Sequence, residues 1–165
     1  TKRFLIYDPV YDSVKFDRFR HAIGGTALTA AVKSWTGDTL YYIATVGGHD
    51  DANAVIYRYI VSRDTAKVLA YVDSGSTSAK ANLTMRWDLN RLYCATGGRL
   101  YSYNAATGAR TNEGGLSGSW YGCNGVDRNG DFFLTGMGNR TVMKVTLGIP
   151  CAICTQKPKI GRAHV

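Results

Sequence analysis

Few side chains in this sequence combine the type and the spacing that chemistry needs. His49-Asp50-Asp51 set an imidazole beside two carboxylates, a group able to ligate a divalent ion from a loop; the same residues also read as a solvated polar loop, the reading adopted. Asp127, Asn129 and Asp131 alternate as oxygen ligands do in a calcium loop. The distal bidentate acid of such a loop is missing, and a hairpin turn over D-R-N-G-D explains the three as well. Cys151 and Cys154 form a lone C-x-x-C; zinc would need two further ligands and a redox pair a thioredoxin-like setting, and the sequence offers neither. His21, His49 and His164 are scattered, and no Ser/His/Asp order or paired-carboxylate signal stands out.

Helical periodicity is missing throughout, which removes helix-borne metal motifs and phosphate loops that open a helix. What positions these residues must therefore be strands and the turns between them. Phe4–Tyr7 and Val14–Arg20 read as two strands closed by Gly24-Gly25. From Ala27 the chain repeats a design: a small or β-branched innermost strand, a turn, a strand opening in Leu-Tyr or Phe-Phe, a third strand and, twice, a fourth. Trp35 to Leu40 and Trp87 to Leu92 have the same spacing, and Leu92 to Phe132 are 40 residues apart, an ordinary period for a propeller blade. Turns are predicted at Gly37-Asp38, Leu89-Asn90 and Asn129-Gly130.

The last unit carries a family resemblance. From Val126 to Val145 the residues Val126, Asp127, Gly130, Gly138, Asn139, Val142 and Lys144 fall in step with the NHL repeat, a β-propeller blade. Gly136 stands where that family has Asp, and Arg140 comes one place early, with Thr141 at the usual Arg position. The resemblance implies an all-β chain, a partial β-propeller of about three to four antiparallel four-stranded blades. Residues 1–26 are then the outer strands of an incomplete blade, 27–148 consecutive blades (27–74, 80–117 and 119–148), and 149–159 the start of a cysteine-rich segment like those that follow propellers in some surface proteins. Residues 160–165, Ile-Gly-Arg-Ala-His-Val, read as a translated sequencing adapter, as in a metagenomic read, and are left out of the fold reading. The rest of the propeller is expected to lie outside this chain.

Cys123-Asn124-Gly125-Val126-Asp127 is similar to the Asn-Gly signature of gluconolactonase-like propellers, which implies Asn124 as a metal ligand on an inner strand; the shorter spacing to Asp127 and an amide satisfying backbone groups are the competing account. No cofactor and no metal are expected, Asn124 being the one candidate ligand. The aromatics Tyr41, Tyr42, Tyr57, Tyr59, Tyr93, Tyr101, Tyr103, Phe132 and Phe133 read as packing between blades.

The chain is 165 residues with a formal charge of +8, and its cations occur singly or in pairs rather than in a run that tracks a phosphate backbone, so nucleic acid is not an expected partner. No apolar stretch is long enough to span a bilayer as a helix. The sequons at Asn82 and Asn139 and the even count of cysteines (Cys94, Cys123, Cys151, Cys154) suggest a glycoprotein of the extracellular space or cell surface. On the repeat alignment Cys94 and Cys123 lie on adjacent blades and could pair in a secreted protein, or otherwise stay as small buried hydrophobes. The function expected is a non-catalytic binding or structural module, with a protein or glycan ligand on a propeller face. The alternatives are a gluconolactonase-like hydrolase fragment and an intracellular NHL-type scaffold for protein or RNA.

Overall fold

Each turn that reverses the chain between the first two strands of a unit holds one residue at positive φ: Gly37 at 79°, Asn90 at 49° and Gly130 at 80°. Glycine and asparagine adopt this conformation readily, so the turns form where the sequence predicts them. The computed structural model describes residues 3–8, 13–18, 25–46, 54–63, 65–72, 82–96, 98–117, 120–136, 141–151 and 153, with side chains described from residue 30 onward except at 45, 46, 120–125 and 136.

Thirteen strands make four antiparallel sheets among the described residues. β1 (Arg3–Asp8) pairs with β2 (Ser13–Arg18). β3 (Gly25–Lys33), β4 (Thr39–Val46), β5 (Ala54–Ile60) and β6 (Thr65–Tyr71) form a four-stranded meander, with one turn of 3-10 helix at Val61–Arg63 before its last strand. β7 (Thr84–Arg86), β8 (Arg91–Thr96), β9 (Arg99–Asn104) and β10 (Arg110–Gly115) form a second. β11 (Trp120–Val126), β12 (Phe132–Gly136) and β13 (Val142–Val145) form a three-stranded sheet. This is the all-β, propeller-like architecture that the repeats predict.

Alternation along the strands decides how the sheets stack. Tyr41 and Ile43 on β4, with Ala54 and Ile56 on β5, point to one face, where they pack with Met85, Leu92, Cys94, Tyr101 and Tyr103 of the second meander. Tyr42, Ala44, Val55, Tyr57 and Tyr59 point to the other face and cluster there, the Tyr42 and Tyr57 rings stacked 5.1 Å apart. The second meander repeats the device: its opposite face sends Tyr93, Ala95 and Leu100 against Phe132 and Leu134 of the three-stranded sheet. Both faces of a central sheet are thus covered, which is why its middle strands read as nearly continuous apolar runs. Eight of the nine aromatics assigned to packing are buried and Phe133 is half-buried.

The repeat extends to backbone bonds between corresponding positions. Val61 N–H donates to Asp38 C=O at 2.8 Å, and Ala105 N–H to Asn90 C=O at 2.9 Å, so in each meander the residue after the third strand is tied to the turn between the first two. The turn that ends β9 also docks on the first meander, where Arg58 Nη1 donates to Ala106 C=O at 3.3 Å. Gly108, at φ 77°, is in contact with the Leu69 backbone, and a Cβ at this position would overlap the Leu69 carbonyl oxygen.

Gly108→Ala should therefore lower unfolding free energy by about 2–4 kcal/mol, joining a left-handed-region penalty to a steric one. Gly37→Ala, at a similar φ with open space around it, should cost only about 1 kcal/mol. Urea denaturation of both variants checks the difference, and equal costs would show that the docked turn yields without strain.

Candidate functional site

The most concentrated polar constellation in the described residues lies where the second meander meets the three-stranded sheet. Arg86, the last residue of β7, has no exposed surface. The residue two places on, Asp88, lies just past the strand in the turn, so its carboxylate sits within reach of the Arg86 side chain. Arg86 Nε donates to Asp88 Oδ1 at 2.9 Å and Nη2 to Oδ2 at 2.7 Å, a two-pronged pair that fixes the plane of the guanidinium. Nη1 then donates to Gly130 C=O at 2.9 Å, in the β11–β12 turn, and Nη2 to Ile149 C=O at 2.9 Å, beyond β13. One side chain thereby ties three separate pieces of chain. A Cβ at Gly130 would run into this guanidinium, so the glycine serves both the turn and the room the arginine needs.

The hydrogen bond with Arg86 holds the Asp88 carboxyl below the usual carboxylate range, its burial opposing the effect in part, while the same bond keeps Arg86 charged despite its burial. Trp87, between them, donates its indole N–H to Lys33 C=O at 3.0 Å and packs on Trp35 at a ring separation of 5.4 Å. The tryptophans that mark the repeat in sequence thus meet across the junction of the first two meanders.

The acidic triplet is also committed to structure. Asp127 Oδ1 accepts from Asn129 N–H at 2.8 Å and from Asp131 N–H at 3.0 Å, closing the turn as an Asx motif. Asp131, 3% exposed, receives Lys144 Nζ on Oδ2 at 2.6 Å, and its Oδ1 has no bond partner among the described residues. The calcium-like alternation is therefore turn chemistry, and no group of three or more potential metal ligands occurs among the described residues. A second network crosses the second meander: Arg91 Nη1 donates to Ser102 Oγ at 2.6 Å, and Ser102 Oγ donates to Glu113 Oε1 at 2.5 Å.

The other sequence candidates are placed as follows. Asn124 is on β11, opposite Phe133, with its side chain outside the described residues. His21, His49, Asp50, Asp51, Asn139, Cys154 and His164 also lie outside them. Asn82 is 2% exposed and its Oδ1 accepts from Ala95 N–H at 3.0 Å. Cys94 is a buried thiol on β8 that packs in the apolar cluster facing the first meander. Cys123 lies opposite Leu134 on β11. Cys151 is fully buried, its N–H donating to Arg128 C=O at 3.2 Å.

The Arg86 tether and the Arg91–Ser102–Glu113 network were not read from sequence. Arg-x-Asp at the end of a strand is the one signal for the former; the latter joins three strands and leaves no local pattern.

No protein-family model matches the chain, and no curated protein matches it. Among solved structures, hydrazine synthase of Kuenenia stuttgartiensis, a protein that contains a β-propeller, is similar over 79% of this chain and 36% of its own, with a TM-score of 0.54 and 13% identity. The chain thus spans about a third of that structure, and the likeness is one of fold.

Asp88→Ala should destabilise the protein by about 3–5 kcal/mol, since it leaves the buried Arg86 guanidinium without its counter-charge. A cost under about 1 kcal/mol would show the pair to behave as an exposed one. Because the folded pKa of Asp88 lies below its unfolded value of about 3.9, the stabilisation is fully present above that value and is lost as pH falls through the folded one. Stability measured against pH should accordingly fall more steeply below about pH 4 for the parent chain than for Asp88→Asn.

Proposed function

We propose that this chain is a segment of a β-propeller with NHL-like blades that serves as a non-catalytic binding or structural module of a larger, extracellular protein. The observation that carries the reading is the use made of the charged side chains where the sheets meet. Arg86 and Asp88 tether pieces of chain, Asp127 closes a turn, Asp131 pairs with Lys144, and Arg91, Ser102 and Glu113 clamp a sheet. Groups that hold a framework in this way are not poised to exchange protons with a substrate, whereas a rigid stack of blades is suited to presenting loops and strand edges to a partner.

Calorimetric titration of calcium, zinc and manganese, with parallel assays of lactone hydrolysis, tests the proposal on this chain and on a full-length protein. Neither micromolar binding nor hydrolysis is expected. Micromolar metal binding abolished by Asn124→Ala, with hydrolysis lost alongside it, would replace the module with a metal-dependent hydrolase.

A further inference from the structure

The sequence contains two Asn-Gly pairs, Asn124-Gly125 and Asn129-Gly130. This dipeptide carries its own chemistry, because glycine has no Cβ to shield its amide nitrogen from the carbonyl carbon of the asparagine side chain. The glycine nitrogen attacks that carbon and a C–N bond forms. The C–N bond of the side-chain amide breaks, its nitrogen leaves as ammonia with the glycine N–H proton, and a cyclic succinimide remains. Water then opens either of the two ring carbonyls. One opening leaves aspartate in an ordinary chain. The other leaves isoaspartate, whose main chain runs through the former side-chain carbon and gains a methylene.

At the second pair the two reacting groups are held in opposite states. Asn129 is exposed, whereas Gly130 is buried. Gly130 N–H donates to Asp127 C=O at 3.0 Å, and Asn129 N–H to Asp127 Oδ1 at 2.8 Å. The carbonyls on either side of the pair are held as well, that of Gly130 by Arg86 Nη1 at 2.9 Å and that of Arg128 by Cys151 N–H at 3.2 Å. Ring closure takes the proton from the Gly130 nitrogen and turns its peptide plane toward the Asn129 side chain. That motion breaks the bond to Asp127 and carries the Gly130 carbonyl away from the guanidinium. The attacking nitrogen is thus locked by the same bonds that join the second meander to the three-stranded sheet.

The first pair lacks this control. Asn124-Gly125 lies within β11, with Asn124 opposite Phe133, and none of the four Arg86 bonds reaches it.

We propose that Asn129 is a site of spontaneous deamidation gated by the Arg86–Asp88 tether. While Asp88 fixes the guanidinium, the turn stays closed and the amide persists. Each opening of the tether lets ring closure compete with reclosing, and the isoaspartyl product makes the opening permanent. Its added methylene shifts Gly130 relative to Asp127, so Arg86 loses an acceptor at a place from which water is excluded. The junction of the two sheets therefore keeps a one-way chemical record of having opened.

The experiment incubates the whole chain in mildly alkaline buffer and follows each Asn-Gly pair by peptide mass spectrometry. Trypsin cuts after Arg128, so the two pairs fall on separate peptides. In the folded parent, Asn129 should deamidate about tenfold or more slowly than in the same chain unfolded in urea. Asp88→Ala should speed Asn129 about tenfold while Asn124 stays within about twofold of the parent rate. Asp88→Asn, closer in shape, carries the same comparison should Asp88→Ala fail to fold, with circular dichroism as the check on folding. The isoaspartyl fraction, separated by ion exchange, should unfold at lower urea than the parent. Equal rates at Asn129 in the folded and unfolded parent would overturn the proposal. So would a folded tether variant that leaves Asn129 unchanged or speeds both pairs alike, since the gate would then be absent or would be global unfolding. An isoaspartyl chain as stable as the parent would overturn it too.

Discussion

A guanidinium with no access to water has to be neutralised and have its donors satisfied where it lies, and Arg86 meets both demands only if three parts of the chain hold still around it. Asp88 supplies the charge from the same turn, while the carbonyls of Gly130 and Ile149 come from the neighbouring sheet and from the segment beyond it. Blade packing by itself is non-directional, because apolar faces tolerate sliding. A fixed fork of donors does not tolerate it, so the tether sets the register between the second meander and the three-stranded sheet in a way that Tyr93 and Phe132, packed at 5.2 Å, would not achieve alone.

The same demand explains where polar residues are admitted. Along β8, β9 and β12 the side chains facing a neighbouring sheet are apolar, and the exceptions, Ser102 and Asp131, each meet a partner on an adjacent strand. Burial pushes the Tyr42 and Tyr93 phenols up, as expected of rings placed for packing rather than for proton transfer. The first two meanders therefore read as framework. Freedom to act outward remains at loops and at strand edges.

Residues whose place in the fold their local pattern does not reveal share a physical cause. Asn82 has the local pattern of a glycan acceptor, yet it sits just before β7 and its amide caps the backbone of Ala95, because an innermost strand this short, only Thr84–Arg86, borrows a side chain to complete its pairing with β8. Cys94 and Cys123 occupy adjacent units, but alternation turns Cys94 toward the preceding sheet and away from the following one. Arg86 reads in the sequence as one of the scattered cations. Its role is instead to join sheets, and that depends on the distant Gly130 and Ile149.

Turn residues, strand periodicity and the recurrence of Trp35 and Trp87 determined the fold class and the positions of the hairpins from sequence alone, because a two-residue period and a positive φ are local properties that individual side chains dictate. The sequence likewise determined that most aromatics pack between sheets. Tertiary structure alone decided which face of each strand meets which neighbour and which carboxylates are held by cations. Those outcomes depend on residues that different strands and turns bring together, such as Arg86 with Gly130 and Ile149, or Asp131 with Lys144. No local pattern records them, since the energy of a buried charge is set by whatever surrounds it in space.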